Sequence, residues 1–188
     1  MSRRNQVLQY RLGGRLPASH DCWERAYIGP RDINFVTLGS WLTTCVLICE
    51  DLARQEPVGE VIRAVGPNLV FALLMDGPQL RSRWSSRYAS VLAEDPGSSV
   101  LALTSLGMSR RSRPREDAVA DRSRTIALWR DAFYGDQEIS LEPGHDACVL
   151  SLVCKTGQEF SIDGRVDREQ AHFPVFAGAI SFDSQRTG

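Results

Sequence analysis

The sequence predicts an α/β fold in which a mixed β-sheet is flanked by helices. Continuous apolar runs recur at 43–49, 69–75 and 99–104, and segments with helical character separate them. Clusters of Gly, Pro and Asp mark the boundaries between these segments. An alternation of strand and helix over 43–104 favours parallel strands joined by right-handed crossovers.

The first elements follow from local composition. Residues 1–32 carry Gly and Pro pairs and are predicted to be irregular. A strand over 33–38 and a glycine-serine turn precede the run at 43–49. That run is apolar nearly throughout, so we expect a strand buried on both faces. A helix over 57–65 follows, ended by a Gly-Pro pair.

The second crossover helix is predicted over 79–94, after the apolar strand 69–75. Pro78 suits the start of a helix, because its missing N–H would have no partner there anyway. The apolar residues of this segment share one helical face, which we expect to pack on the core: Leu80, Trp84, Tyr88 and Val91. Trp84 and Tyr88 are accordingly expected to be core residues.

The later part of the chain resembles a series of hairpins. The polar, arginine-rich segment 106–123 is predicted to be a surface loop, with binding of a phosphate group or RNA as a weaker alternative. Strands are expected at 125–129, 138–141 and 148–153. Beyond Thr156 we expect one weak strand and then turns.

Composition narrows the function classes. The chain has 188 residues, is 43% hydrophobic, and has a formal net charge of −1, so neither nucleic acid nor a membrane is indicated as a partner. The longest apolar runs are too short to span a bilayer, and no signal peptide is recognisable. Five cysteines without a framework spacing indicate reduced thiols and a cytoplasmic location. Lys155 is the only lysine.

The strand at 43–49 ends in a candidate nucleophile. Cys49 is followed directly by Glu50 and Asp51, and ligands of open α/β sheets bind beyond the carboxyl ends of strands. Carboxylates beside a thiol raise its pKa, so proton transfer to a carboxylate base is more natural than a stable ion pair. Asp76 ends the next strand and is a candidate contact for a substrate amine. In the competing interpretation, Cys49 is a small buried hydrophobe.

Other chemistries receive little support. Cys49 with His145 or His172 could form a thiol-protease-like dyad, but both histidines lie in turn-like contexts without a motif. The cysteines and histidines lack the spacing of zinc ligands. We therefore expect neither a metal nor a cofactor.

At this point the residues resemble a known family. Leu-Ile-Cys-Glu-Asp-Leu at 47–52 resembles the nucleophile motif of the nitrilase, or carbon–nitrogen hydrolase, superfamily, in a variant similar to the glutaminase domains of glutamine-dependent NAD synthetases. The resemblance extends over roughly 8–153. Further segments resemble family motifs in the same order: Phe35 to Gly39, Gly66 to Leu69, Trp84 with Ala93 to Asp95, 123–131, Glu142 to Gly144, and 149–152.

The resemblance implies roles for individual residues. The family uses a Cys nucleophile, a Glu base, a Lys that stabilises the tetrahedral intermediate, and often a second Glu. Cys49 matches the nucleophile, Glu24 lies at the spacing of the second Glu, and Arg11 stands near the lysine position. Arginine is a planar fork, so it does not replace lysine conservatively. Glu50 and Asp76 are expected to bind substrate.

The Glu base of the family belongs to an amino-terminal half that this chain is expected to lack. The resemblance therefore implies the carboxyl-terminal half of an αββα sandwich over 1–155, followed by an extension over 156–188. A half-sandwich exposes a sheet edge and part of its apolar face, so we expect a complementing amino-terminal half. Because family members commonly associate through this half, the resemblance also implies a homo-oligomer.

The function implied is a thiol hydrolase module that cleaves amide-type C–N bonds in a small-molecule amide or nitrile. The alternative is a catalytically degenerate module of the same fold that binds or scaffolds a partner.

Overall fold

The computed structural model describes residues 32–111, 124–160 and 166–185. The strands are β1 (Phe35–Leu38), β2 (Leu42–Ile48), β3 (Leu69–Leu73), β4 (Ser99–Leu103), β5 (Thr125–Asp131), β6 (Gly135–Ser140), β7 (Ala147–Phe160) and β8 (Val166–Phe182). The α-helices are α1 (Glu60–Val65), α2 (Trp84–Glu94) and α3 (Leu106–Arg111). A 3₁₀ turn covers Cys49–Ala53, and a wider helical turn covers Gln55–Gly59.

The first six strands form one mixed sheet in the order β1-β2-β3-β4-β5-β6. Strands β2, β3 and β4 are parallel, and the remaining neighbours are antiparallel. The predicted α/β class with a mixed sheet and flanking helices is thereby confirmed. Strands β7 and β8 form a separate antiparallel ribbon.

One face of the sheet packs against the helices. Because partners in register point to the same side, Cys45, Val70 and Val100 share this face. They are almost fully buried, together with Ile62 of α1 and Ala89 of α2. This layer places the carboxyl ends of β2 and β3 beside the start of α2.

The opposite face is covered only in part. The β7–β8 ribbon packs Leu150 and Phe176 against Leu101 and Trp129 on the β4–β5 side. The β1–β3 side of the same face is open, with aliphatic side chains that are 40% to 55% exposed; we call this set the open apolar face: Val36, Leu38, Val46, Ile48 and Leu73.

The expectation that β2 is buried on both faces is wrong. Its side chains alternate, with Cys45 and Leu47 buried and Val46 and Ile48 exposed. The alternation arises because β2 has a helical layer on one side and no described layer on the other. A continuous apolar sequence therefore does not distinguish a strand between two layers from one whose second layer is missing.

The predicted start of the second crossover helix is also wrong, because α2 begins at Trp84 rather than at residue 79. Gln79 is fully buried and its side chain is used for tertiary hydrogen bonds: the Ser85 hydroxyl donates to its Oε1, and its Nε2 donates to the Gly77 carbonyl. These hydrogen bonds fix the loop of residues 77–83 beside the start of the helix.

The face of α2 that packs on the sheet differs from the predicted one. It consists of small residues and one leucine: Ser85, Ser86, Ala89, Leu92 and Ala93. Trp84 and Tyr88 are only partly buried. Small side chains let the helix approach the sheet closely, which turns the two large aromatic rings towards the sheet's carboxyl edge.

Two further expectations are corrected. Residues 106–111 form a short helix where a loop was expected, and the rest of that arginine-rich segment lies outside the described residues. The tail does not fade into turns, because β8 pairs with β7 along most of its length. Strand β7 runs through residue 155, and the division of the chain there stays a prediction.

Candidate active site

Strand β2 ends in a strained cysteine. Cys49 has a φ of 51°, and it is the sole non-glycine residue with positive φ in the described ranges. The left-handed conformation costs an L-residue with a Cβ roughly 1–2 kcal/mol. Such strain persists where the surrounding structure imposes it, and it is concentrated at functional sites. The chain thus turns sharply at Cys49 from the strand into the 3₁₀ turn.

An open cleft of about 430 Å³ lies at this turn. It is lined by residues from three places, namely the end of β2, the end of β3 and the start of α2: Cys49, Glu50, Ala53, Asp76, Arg83, Trp84 and Tyr88. The fold therefore brings together three of the five residues that the sequence nominates, Cys49, Glu50 and Asp76. Arg11 and Glu24 lie outside the described residues, so their roles stay predictions.

Cys45 lies within β2 and Cys49 directly follows this strand, but the two thiols have very different surroundings. Cys45 is 1% exposed in the core, where burial raises the pKa of its thiol to about 11. Cys49 is only partly buried and lines the cleft. Of these two cysteines, only Cys49 is therefore placed to meet a molecule from solvent.

The pKa of the Cys49 thiol is raised above its ordinary value. Burial is the largest cause, and the nearby negative charges of Glu50 and Asp76 act in the same direction. Hydrogen bonds to the backbone at Met75 and Glu50 oppose these effects and lower the pKa. At neutral pH the sulfur is therefore mostly protonated, and attack requires a group that accepts its proton as the bond forms.

Asp76 is the most highly connected group in the cleft. Its Oδ1 accepts hydrogen bonds from the Gly77 N–H at 2.7 Å and from Arg83 Nη2 at 2.6 Å. Its Oδ2 accepts one from Trp84 Nε1 at 2.8 Å. Burial alone raises the pKa of this carboxyl, but the three donors outweigh burial and hold the pKa below its usual value. Asp76 is therefore an ionised and highly connected carboxylate.

The carboxylate of Glu50 differs from that of Asp76 in its exposure and in its contacts. Its side chain is exposed, and it forms no hydrogen bond or ion pair with another described residue. A carboxylate in that state retains its capacity to accept a proton or a substrate N–H group. The adjacent Asp51 lies 3.8 Å from Arg54 in an exposed pair, which contributes little to stability.

Sequence reasoning missed Arg83, Trp84 and Tyr88 as cleft residues. The rings of Trp84 and Tyr88 meet edge to face with centroids 6.0 Å apart and form an aromatic wall. A usable signal was present, because small residues at 85, 86, 89 and 93 recur at helical spacing and mark the packing face of α2. With that face assigned to the sheet, the large aromatic residues belong to the cleft side.

The remaining candidates lie elsewhere. His145 Nδ1 is 2.8 Å from Ser181 Oγ, and the His172 ring lies against Trp41; neither histidine lines the cleft. Lys155 contacts Tyr134 near the β5–β6 turn, at the edge where the parallel strands begin. Lys155 therefore lies at the edge opposite to Cys49.

Within the described ranges, no group of three or more His, Cys, Asp and Glu side chains is arranged to hold a metal ion. None of the helices in those ranges has the length and apolar character that crossing a bilayer requires. Comparison of the chain with family models, with curated proteins and with solved structures found no match.

Proposed function

We propose that this chain is a nitrilase-like thiol hydrolase module that acts on amide-type C–N bonds, with Cys49 as the nucleophile. One observation carries the proposal: Cys49 adopts a strained left-handed conformation at the carboxyl end of a parallel strand, and it lines an open cleft beside carboxylates. A cysteine that served only as packing would incur this strain without a benefit. The order of sequence motifs around residues 47–52 supports the same conclusion.

The chemistry follows from this placement. The Cys49 sulfur attacks the amide carbonyl carbon while its proton passes to a carboxylate. The tetrahedral intermediate then collapses, the C–N bond breaks, and ammonia or an amine leaves with the proton. Water next attacks the thioester, which releases the carboxylic acid and restores the thiol. No metal or cofactor takes part.

Transfer of the Cys49 proton is the step that places the strongest requirement on the proposed mechanism. Because the Cys49 thiol has a raised pKa, a general base must act during attack. Among the described residues, Glu50 is the cleft carboxylate without a hydrogen bond or ion pair, and we assign it as the proton acceptor. Glu24 is assigned to positioning substrate or water, in keeping with its match to the second Glu of the family. We assign oxyanion stabilisation to backbone N–H groups after Cys49 and to Arg11, as the resemblance implies.

A complementing polypeptide or a second copy is part of the proposal. The open apolar face borders the cleft, since Ile48 directly precedes Cys49 and Leu73 pairs with Ile48 in the sheet. Exposed aliphatic patches of this kind mark association surfaces. The resemblance implies that an amino-terminal half carrying a Glu base would lie there. The described cysteines are all free thiols, which suits the reducing cytoplasm that we propose as its location.

The experiment measures covalent labelling of Cys49. The chain, alone and with the product of the neighbouring upstream reading frame, is treated with chloroacetamide, and labelled sites are identified by mass spectrometry. In the presence of that partner we expect Cys49 to be labelled selectively, the Cys49→Ala variant to lose that label, and the matched Cys154→Ala variant to retain it. Labelling that survives Cys49→Ala equally well would falsify the assignment. Thioester formation and ammonia release from a panel of primary amides then test hydrolysis directly.

A second function is favoured by a different observation. The pKa of Cys49 is raised rather than lowered, and the open apolar face offers a binding surface on its own. A catalytically degenerate module that binds or scaffolds a partner would have both properties. It would associate with that partner and give Cys49 no more reactivity towards chloroacetamide than the exposed Cys154 has.

A further inference from the structure

The strongest unexplained arrangement in the cleft is the three-donor shell around Asp76. The carboxylate is 8% exposed, and it joins a loop residue, Arg83, to the first residue of α2, Trp84. Its own carbonyl also accepts a bond from the buried Thr104 hydroxyl at 2.7 Å, which ties this point to the end of β4. Asp76 therefore connects three separate elements at one position.

This shell leaves little room for a direct contact with substrate. A carboxylate has roughly four acceptor positions, and three are filled by N–H donors at 2.6 to 2.8 Å. A substrate amine would have to use the single remaining acceptor position or displace Arg83 or Trp84. Displacement would leave a guanidinium or a partly buried indole N–H without its partner, which costs roughly 1–3 kcal/mol.

The groups that Asp76 holds do face the cleft. Arg83 has 33% of its side chain exposed and lines the cleft, and its buried Nε has no hydrogen-bond partner among the described residues. Trp84 lines the cleft and sets the position of the Tyr88 ring through their edge-to-face contact. An ordered guanidinium and an ordered aromatic wall lose less conformational entropy when a ligand binds.

We propose that Asp76 is a positioning residue, which acts on substrate through Arg83 and Trp84 rather than by touching substrate itself. The inference rests on the proposed function for its catalytic consequence, but the positioning contacts are independent of any reaction. It replaces the sequence-based expectation that Asp76 binds a substrate amine. It also places Arg83 and Trp84, which the sequence did not nominate, among the groups that contact substrate.

The structural arm of the test follows the indole N–H signal of Trp84 in ¹H–¹⁵N spectra. The chain has four tryptophans, and loss of one signal in Trp84→Phe identifies the signal of interest. We expect Asp76→Asn to shift that signal, whereas Glu50→Gln, which alters a carboxylate outside the shell, leaves it in place. The Cys49→Ala variant should give the same signal as the wild type, so this arm can succeed even if the hydrolase proposal fails.

The kinetic arm is a double-mutant cycle on the rate of Cys49 alkylation by chloroacetamide, with each rate divided by the thiolate fraction at that pH. We expect Asp76→Asn and Arg83→Met each to slow the reaction by about tenfold, because a displaced binding group misplaces the amide of the reagent and with it the chloromethyl carbon, from which the sulfur displaces chloride. If Asp76 acts through Arg83, the double variant is no slower than the worse single variant. Spectral dispersion shows which variants are folded, and Arg83→Lys replaces Arg83→Met if the latter is not.

Two outcomes would overturn the inference. One is an unmoved Trp84 indole signal in folded Asp76→Asn. The other is a double variant whose losses multiply, since independent losses are expected if Asp76 and Arg83 contact substrate separately.

Discussion

The Trp84 indole Nε1 donates a hydrogen bond to Asp76 Oδ2 across 2.8 Å, and Arg83 Nη2 approaches Asp76 Oδ1 at 2.6 Å. Two consecutive residues at the start of α2 are thus held by one carboxylate at the end of the β3 segment. The parallel sheet places this carboxylate beside Cys49, which follows the adjacent strand β2. The cleft is consequently organised by contacts between elements rather than within one.

The strain at Cys49 predicts an unusual effect of glycine. At a φ of 51°, a residue with a Cβ is penalised, so Cys49→Gly should be more stable than Cys49→Ala by about 1 kcal/mol. Urea unfolding of both variants measures the difference. The same pair of substitutions at Cys154, which lies within strand β7, should show the reverse order, because glycine weakens an extended strand. Equal or reversed stabilities at residue 49 would argue against the strained conformation.

The raised pKa of Cys49 predicts the pH dependence of its alkylation. Burial is the main cause and the Glu50 charge contributes, so the midpoint for the chain alone should lie above the free-thiol value of about 8.5. Glu50→Gln removes one negative charge and should lower that midpoint. Site-resolved iodoacetamide rates between pH 6 and 11 provide the measurement. A wild-type midpoint well below 8.5 would contradict this expectation and would show that residues outside the described ranges or a partner activate the thiol.

Asp76 predicts a pH-dependent contribution to stability. Its pKa in the folded chain is lowered, so the stabilisation is present above the unfolded value of about 3.9 and is lost as the pH falls through the folded value. Near neutral pH, Asp76→Ala should cost roughly 1–3 kcal/mol, because the donors around it lose their partner. Urea unfolding at several pH values from 7 to 2 should show this difference shrinking in acid. A constant difference would contradict the contribution of the charge.

The open apolar face predicts association. Val46 and Ile48 are 49% and 55% exposed, so replacing both with lysine should change stability little while abolishing self-association or partner binding. Sedimentation velocity over a range of concentrations measures this effect. Val65→Lys is the matched control, since Val65 is equally exposed but lies on α1. A wild-type chain that stays monomeric and binds no partner would remove the basis for this surface.

The packing face of α2 predicts sensitivity at a small residue. Ala89 is fully buried against the sheet, so Ala89→Leu should destabilise the chain by about 1–3 kcal/mol through overpacking. Arg87→Leu, at an exposed position of the same helix, should have a much smaller effect. Thermal unfolding of both variants measures the contrast. Similar losses at the two positions would contradict the observed orientation of α2.

Local patterns in the sequence were sufficient for the strands of the parallel core but not for every element or for their surroundings. The apolar runs at 43–49, 69–75 and 99–104 correspond to β2, β3 and β4, because β-prone residues between turn signals have few other stable conformations. The long strand β8 was missed because its polar and aromatic residues carry no clear alternation. Its partner β7 stabilises it through ladder hydrogen bonds that form only after the chain has folded back.

The candidate site was also predictable from the sequence only in part. Cys49, Glu50 and Asp76 line one cleft, which the sequence could indicate because the ends of adjacent parallel strands must lie at one edge of a sheet. Their roles in a reaction stay predictions. The sequence did not indicate Arg83 and Trp84, because their cleft position depends on where α2 begins and which face it buries. That start is set by the buried hydrogen bonds of Gln79, a residue whose sequence context favours continued helix.

The sequence by itself determined the strands of the parallel core, the thiol at the end of one of them, and the carboxylates that follow. It could do so because these features depend on residue order and on short-range conformational preference. Tertiary structure alone decided the left-handed backbone at Cys49, the shell of donors around Asp76, and the part of one sheet face that no described element covers. Each of these three features depends on contacts between groups that are distant in the sequence. Burial and hydrogen bonding fix such contacts only when the layers pack.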